Sequence, residues 1–195
     1  MTAEESPLTH VPTDNWSYPL PRYPLINTKH TTLLATLNCR SLNATWKQGE
    51  LVAEADKLNL AAIGIQEHRI QCSEPVKYLD LGGGWKFIHS SADTAGNGGV
   101  GLLLNPRVYS ALDSVIPITQ RILKFTFSTK CSKSWPKLVI LVCYSPTSAS
   151  AQEDVNSFYA SLQHETDEAG QHAFLTILGD WNARLPESPQ HRWVY

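Results

Sequence analysis

The chain has 195 residues, of which 42% are hydrophobic and 17% charged, and its formal net charge at pH 7 is −2. At roughly 150 residues per domain, this length predicts one domain and excludes a multidomain assembly within these residues. The near-neutral charge excludes a globally basic surface, so contact with nucleic acid requires a local group of cations. The four cysteines lack zinc-ligand spacing, which favours reduced thiols and an intracellular location, nuclear or cytoplasmic.

The first 30 residues differ from the rest of the chain. They carry five of the twelve prolines and no periodic apolar pattern, which predicts a disordered, proline-rich leader over residues 1–30. No apolar run approaches the length of a signal sequence or a membrane span, so we expect a protein that is neither secreted nor membrane-bound. We predict a folded domain over residues 31–186 and a tail over residues 187–195.

A strand, a helix and a second strand follow the leader. Residues 32–38 form a short apolar and β-branched run, which predicts a buried strand. Apolar residues at helical spacing then predict a helix that ends near residue 58, with Asn43 as its N-cap. The apolar run over residues 60–66 predicts the second strand, so this part is a βαβ-like unit.

The next segment is rich in strands. Turn signals separate five predicted strands, over residues 86–89, 98–104, 108–116, 120–127 and 137–144. A second helix is predicted from apolar side chains at helical spacing, with Ser150 or a neighbouring serine as its cap; these are Val155, Phe158, Tyr159 and Leu162. A last buried strand is predicted over residues 173–178. This order predicts an α/β sandwich of two packed sheets flanked by helices.

Polar side chains follow four of the predicted strands, where a rigid strand end can fix them in a cleft. They are Asn38, Glu67, Tyr144, and Asp180 with Asn182. Each also has a structural interpretation: a turn residue, a solvated carboxylate, a packing aromatic and an Asx-turn, respectively. Together they indicate a Mg²⁺ site, because Mg²⁺ takes few, hard oxygen ligands and completes its shell with water and substrate phosphate. This is the equipment of phosphodiester hydrolysis.

Five segments in this order resemble motifs of the endonuclease/exonuclease/phosphatase superfamily, which includes pancreatic deoxyribonuclease, exonuclease III and the abasic-site endonucleases. The segments are residues 37–42, 65–68, 98–102, 143–146 and 179–183, the last reading Gly-Asp-Trp-Asn where the family has Gly-Asp-Phe-Asn. The resemblance runs from Thr31 to Pro186. It is strongest to endonuclease domains of non-LTR retrotransposons and to craniofacial development protein 2-like sequences.

The resemblance implies a deoxyribonuclease-like two-sheet sandwich and a Mg²⁺-dependent endonuclease that acts on DNA, with Mn²⁺ as a substitute ion. It implies that Glu67 holds the metal and that Asn38 places this glutamate and the phosphate. Tyr144 would bind or polarise the phosphate. Asp180 would activate or orient the attacking water, and Asn182 would stabilise charge on the phosphoryl oxygens.

Two arginines are predicted to contact the substrate. Arg121 resembles a family arginine that braces the site. His68 and Arg69 follow the metal-binding glutamate, where they either meet the DNA backbone or form a solvated surface pair. For the glycines at 98, 99 and 101, close packing is a better interpretation than a phosphate cradle.

The sequence departs from the family after Asn182. The family has a further Asp and a C-terminal Ser-Asp-His, for which we find no counterpart. We therefore expect a domain incomplete at its C-terminus, impaired or inactive as an endonuclease, with exposed strand edges that permit self-association. Two alternatives stay open: a non-catalytic remnant or binding module of the same fold, and a phosphatase or phosphodiesterase that acts on a small phosphate ester. No small-molecule cofactor and no membrane partner are expected.

Overall fold

The computed structural model describes residues 31–128, 137–169 and 173–183. The predicted leader, the predicted tail and Cys131 lie outside these ranges. The described strands are β1 (Leu34–Asn38), β2 (Ala62–Gln66), β3 (Lys77–Asp80), β4 (Lys86–His89), β5 (Val100–Leu104), β6 (Leu112–Thr119), β7 (Ile122–Phe127), β8 (Lys137–Tyr144) and β9 (Ala173–Asp180). The described helices are α1 (Thr45–Lys57), α2 (Pro106–Tyr109) and α3 (Gln152–Ala169).

The strands form two mixed sheets, which confirms the predicted α/β sandwich. One sheet has the order β1-β2-β5-β4-β3 and the other has the order β6-β7-β8-β9. Each sheet contains one parallel pair, β1 with β2 and β8 with β9, and the remaining pairs are antiparallel. A helix connects the two strands of each parallel pair, as parallel pairing requires. The carboxyl ends of these strands carry the predicted site residues.

Three apolar clusters hold the layers together. The largest lies between the sheets and includes Leu102, Phe125 and Ile140. A second packs α1 against the opposite face of the first sheet, and a third packs α3 against the opposite face of the second sheet. The central strands are therefore buried on both faces, which explains why they read as continuous apolar runs.

Several local predictions were wrong. The helix α1 begins after Ala44, which offers no side-chain cap, so Asn43 is not the N-cap. The predicted strand over residues 108–116 begins instead with the short helix α2, because Asn105 caps it by accepting a hydrogen bond from the Val108 amide and Pro106 suits its first turn. Strand β3 was missed, since its four residues carry little apolar pattern.

Strands β1, β3, β6 and β9 are the end strands of the sheets within the described ranges. Apolar side chains on two of them are partly open to solvent, with Leu37 41% and Phe174 45% exposed. The predicted self-association through strand edges stays a prediction. No helix in the described ranges is both long and apolar enough to cross a membrane.

Candidate functional site

The side chain of Asn38 links the two sheets at the carboxyl ends of their parallel strands. Its Nδ2 donates to Oε1 of Glu67 at 2.8 Å and to Oδ2 of Asp180 at 2.7 Å. The hydroxyl of Tyr144 donates to the same Glu67 oxygen at 2.8 Å. Four predicted site residues, each at a different strand end, thus form one hydrogen-bonded network that spans both sheets.

Asn182 joins this network through the backbone. Its main-chain N–H donates to Oδ1 of Asp180 at 3.0 Å, which closes the Asx-turn predicted as the structural interpretation of this pair. Its side-chain Nδ2 donates to the carbonyl of Ser145 at 2.7 Å, next to Tyr144. The turn therefore fixes both oxygens of Asp180, one to Asn182 and the other to Asn38. The structural and the functional interpretations of this motif are compatible.

The two predicted arginines lie on the Glu67 side of the network. Nη2 of Arg69 lies 3.3 Å from Oε2 of Glu67. The guanidinium of Arg121 lies 5.3 Å from the centre of the Tyr144 ring, and its Nη1 donates to the Tyr144 carbonyl at 3.4 Å. This placement agrees with the predicted bracing role of Arg121. All seven predicted residues are therefore brought together, while their chemical roles stay predictions.

His68 and Gly99 pack against each other next to Glu67. Neither was among the predicted site residues. His68 is fully buried, so both predictions for this residue, contact with the DNA backbone and a solvated surface pair with Arg69, are wrong. A Cβ atom at Gly99 would lie 2.4 Å from the His68 ring, which confirms close packing for this glycine. The Arg69 amide donates to the Gly98 carbonyl at 3.0 Å and fixes the segment that carries Glu67. The double glycine was the available signal.

Glu67 and Tyr144 are held in opposite protonation states. Partial burial alone raises the pKa of Glu67, but hydrogen bonds from Asn38, Tyr144 and Arg69 outweigh it, and the pKa lies below its ordinary value. Burial raises the pKa of Tyr144, and its hydrogen bond to Glu67 raises it further. At neutral pH the carboxylate is ionised and the phenol keeps its proton, so Tyr144 is a hydrogen-bond donor.

Two cavities flank the network. A cavity of about 290 Å³ on the Glu67 side has polar walls, lined by Glu67, Arg69, Ser91, Asp93, Asn97, Gly98, Gly99, Gln120, Arg121 and Tyr144. A more open cavity of about 370 Å³ lies on the Asp180 side, lined by Thr36, Asn38, Gln66, Gly179, Asp180, Trp181, Asn182 and Ala183. The hydrogen-bonded bridge from Glu67 through Asn38 to Asp180 therefore has a cavity on either side.

Comparison with curated proteins gives two distant relatives. Craniofacial development protein 2 from Tragulus javanicus and from Bos taurus is 26% identical to this chain over 161 residues. The matched region covers 80% of this chain but 26% and 25% of those proteins. The chain thus spans about a quarter of the length of these relatives. No family model matches the chain.

Solved structures share the architecture. The endonuclease domain of TRAS1, a telomere-specific non-LTR retrotransposon, superimposes with a TM-score of 0.53 at 18% identity, over 76% of this chain and 59% of that chain. The AP endonuclease LMAP from Leishmania major gives 0.54 at 16% identity, over 75% and 53% of the two chains. The 3'-5' exonuclease NExo from Neisseria meningitidis gives 0.51 at 19% identity, over 75% and 56%. The chain has the endonuclease/exonuclease/phosphatase fold. This confirms the fold implied by the five motifs.

In this endonuclease/exonuclease/phosphatase fold, the donor set at Glu67 fits a hard divalent cation. Mg²⁺ and Mn²⁺ favour carboxylate oxygens, and the carboxylates of Glu67 and Asp180 lie close together, each within 2.8 Å of the Asn38 amide nitrogen. Oε1 of Glu67 already accepts two short hydrogen bonds, whereas Oε2 has only the 3.3 Å contact with Arg69 among the described residues. Oε2 is therefore the oxygen on which a cation would bind.

A second group of candidate ligands lies on α3, away from the predicted site residues. His164, Glu165 and Glu168 lie close enough to share an ion. The ammonium of Lys124 lies 2.7 Å from Glu165 and 3.3 Å from Glu168, so a cation already neutralises these carboxylates. We therefore assign no metal to this cluster.

The buried side chain of His89 makes the stability of the fold depend on pH. It is fully buried, and burial lowers its pKa; Lys77 acts in the same direction, while the Ser90 carbonyl and Glu74 oppose it. Its ring centre lies 4.7 Å from that of His68, whose pKa burial lowers to about 3, helped by His89. The folded chain therefore resists protonation of both rings.

We expect the free energy of unfolding to fall as the pH drops below about 6.5, because the unfolded chain then binds a proton on His89 that the folded chain does not bind. This stabilisation is complete above the unfolded pKa and is lost towards the lower folded pKa. One such proton gives a slope of about 1.4 kcal/mol per pH unit. In urea unfolding between about pH 7 and pH 5, His89→Asn should make the slope shallower. The exposed His164→Asn is the control, and an equal slope in His89→Asn and wild type would contradict the prediction.

Proposed function

We propose that this chain carries a site for divalent-metal-dependent phosphodiester hydrolysis of DNA, of the retroelement endonuclease type. The observation that carries the proposal is the Asn38 amide, which holds a carboxylate from each sheet, Glu67 and Asp180, on opposite sides of one nitrogen. The names of proteins with the same fold support it: a retrotransposon endonuclease domain, and a NExo structure bound to a product DNA hairpin with a TM-score of 0.53. Action on DNA would place the chain in the nucleus or cytoplasm.

Each side chain has a role that follows from its contacts. Mg²⁺ or Mn²⁺, when bound at Glu67, supplies positive charge that stabilises the phosphate oxygens. Tyr144 keeps its proton, and its hydroxyl would turn from Glu67 to donate to a phosphate oxygen. Asn182 lies beside it to stabilise developing negative charge. Asp180, fixed at both oxygens, orients the attacking water. Asn38 holds the carboxylates of Glu67 and Asp180 close to each other through its two hydrogen bonds.

The arginines would bind the backbone of the strand. Arg69 and Arg121 both line the cavity on the Glu67 side, where guanidinium groups can pair with phosphate through two parallel hydrogen bonds. The chain as a whole has a net charge of −2, so these local cations supply the attraction that the overall charge does not.

A second candidate function is the binding of cation and DNA with little or no turnover. The observation that favours it is the Arg69 guanidinium beside Oε2 of Glu67, a positive charge that already lies where the metal would bind. Competition from this group raises the metal concentration needed to fill the site. The same fold acting on a small phosphate ester is the third candidate, and it shares the metal site.

Incubation of the purified chain with supercoiled plasmid and Mg²⁺ tests these functions. Any nicking by wild type should fall by about 100-fold or more in Asp180→Ala. Asp113→Ala, which removes an exposed carboxylate that pairs with Lys137, is the matched control and should nick like wild type. Equal nicking by Asp180→Ala and wild type would reject hydrolysis at this site.

Two further measurements separate the alternatives. If Mg²⁺ raises the melting temperature of the chain but no plasmid is nicked, the chain binds without turnover, because a ligand of the folded state must stabilise it. Hydrolysis of bis-p-nitrophenyl phosphate without nicking would favour the small phosphate ester. No stabilisation and no hydrolysis would reject the metal site altogether.

A further inference from the structure

The two oxygens of Glu67 have unequal surroundings. Oε1 accepts from Asn38 and from Tyr144, each at 2.8 Å. Oε2 has the longer contact of 3.3 Å with Arg69, whose side chain is 42% exposed. An ion pair with one partner this open to solvent contributes little to stability. Oε1 is therefore fixed by two neutral donors. Oε2 contacts the Arg69 guanidinium, which can exchange this partner for another at little cost in free energy.

The main chain of Arg69 is held more firmly than its side chain. Its amide donates to the Gly98 carbonyl at 3.0 Å, and its φ is 60°, a left-handed conformation that holds the segment in one geometry. The guanidinium lies at the end of a long side chain whose Cα is fixed at the wall of the cavity on the Glu67 side. Glu67 is one anionic partner within its reach, and any anion inside the cavity is another.

A second cation, Arg121, also lines this cavity. Arg121 is stacked on the Tyr144 ring at 5.3 Å and donates to the Tyr144 carbonyl. Asn97 and Gln120 add neutral amide groups, and Asp93 is a second carboxylate besides Glu67. When a divalent cation neutralises Glu67, the balance of charge in the cavity becomes positive, so the cavity then suits a phosphate group.

We propose that Arg69 couples cation binding to nucleic-acid binding by exchanging one anionic partner for another. Without a divalent cation, its guanidinium pairs with Oε2 of Glu67. With a cation at Oε2, the guanidinium would turn into the cavity and bind a backbone phosphate there. This inference rests on the proposed function and extends it, because it assigns a second phosphate position and makes the two ligands bind cooperatively.

Calorimetry with Ca²⁺ in place of Mg²⁺, with and without a short DNA duplex, tests the coupling without turnover. In Arg69→Met, Ca²⁺ alone should bind about two- to five-fold more tightly, because a competing cation is removed. Duplex binding in Ca²⁺ should weaken, and its salt dependence, the slope of log K against log salt, should fall by about 0.9, as for one lost phosphate contact. In wild type the duplex should increase the affinity for Ca²⁺ by a certain factor, and this factor should be smaller in Arg69→Met. Arg69→Lys should restore part of it.

Lys57→Met is the control, because Lys57 is 71% exposed and pairs only with Glu54 among the described residues. If wild type binds Ca²⁺ and duplex but Arg69→Met changes neither more than Lys57→Met does, the coupling is wrong while the proposed function stands. Weaker Ca²⁺ binding in Arg69→Met would also overturn it, since Arg69 would then support the cation site. If wild type binds neither ligand, the proposed function itself fails and the coupling falls with it.

Discussion

Gly99→Ala should lower the free energy of unfolding by about 2–4 kcal/mol and should disable the cation site at the same time. Gly99 has a φ of 86°, which costs an alanine about 1 kcal/mol or more. The new Cβ would also lie 2.4 Å from two atoms of the His68 ring. That ring cannot retreat, because it is fully buried against Phe87 and His89 at centre distances of 5.5 and 4.7 Å.

The displaced ring would carry Glu67 with it, since the two residues are adjacent in the chain. Urea unfolding measures the loss of stability, and the rise in melting temperature on adding Ca²⁺ measures the cation site. Gly96→Ala is a matched control: its φ is 75°, and nothing lies within 4 Å of the added Cβ. Gly96→Ala should show the backbone cost alone. If Gly99→Ala costs no more than this control and keeps its response to Ca²⁺, the packing of Gly99 against His68 does not position Glu67.

The sequence alone predicted the strand ends that carry the site, because each buried strand is an apolar run followed by polar residues. Asn38, Glu67, Tyr144 and Asp180 follow such runs and meet in the structure. Helix starts were harder. The Asn-Pro signal at Asn105 has the right chemistry for an N-cap, but the apolar pattern of the following residues favoured a strand.

Contacts between distant elements account for what the sequence did not predict. His68 is a polar residue among polar and charged neighbours, which is typical of a surface position. Its ring is buried because Phe87, His89 and Gly99 pack around it. Gly64 is a similar case. A Cβ at Gly64 would lie 2.7 Å from Cβ of Leu178, so the missing side chain lets the two sheets approach. This approach brings Asp180 within 2.7 Å of Asn38, and no spacing within either segment encodes it.

Asn38→Asp should have the second large effect. The amide now donates to two carboxylates, and an aspartate would place a third negative charge where the donor was. Loss of two hydrogen bonds to charged groups, with added repulsion, should lower the free energy of unfolding at pH 7 by about 2–4 kcal/mol. The Asn38 amide helps to lower the pKa of Glu67, so this pKa should rise in the variant and the folded chain should bind a proton at higher pH than wild type does. The stability of this variant should therefore recover as the pH falls towards the range in which the cluster binds a proton.

Added Ca²⁺ should restore the stability of Asn38→Asp more than it raises that of wild type, because a divalent cation neutralises the added charge. Thermal unfolding at neutral pH, with and without Ca²⁺, gives both numbers. Asn156→Asp on α3 adds the same charge at an exposed position that accepts a hydrogen bond through its side-chain oxygen, so it should change stability little and respond to Ca²⁺ as wild type does. If Asn38→Asp is as stable as this control without Ca²⁺, the Asn38 amide does not hold Glu67 and Asp180 together. Equal recovery by Ca²⁺ in Asn38→Asp and in Asn156→Asp would show that the cation does not bind next to residue 38.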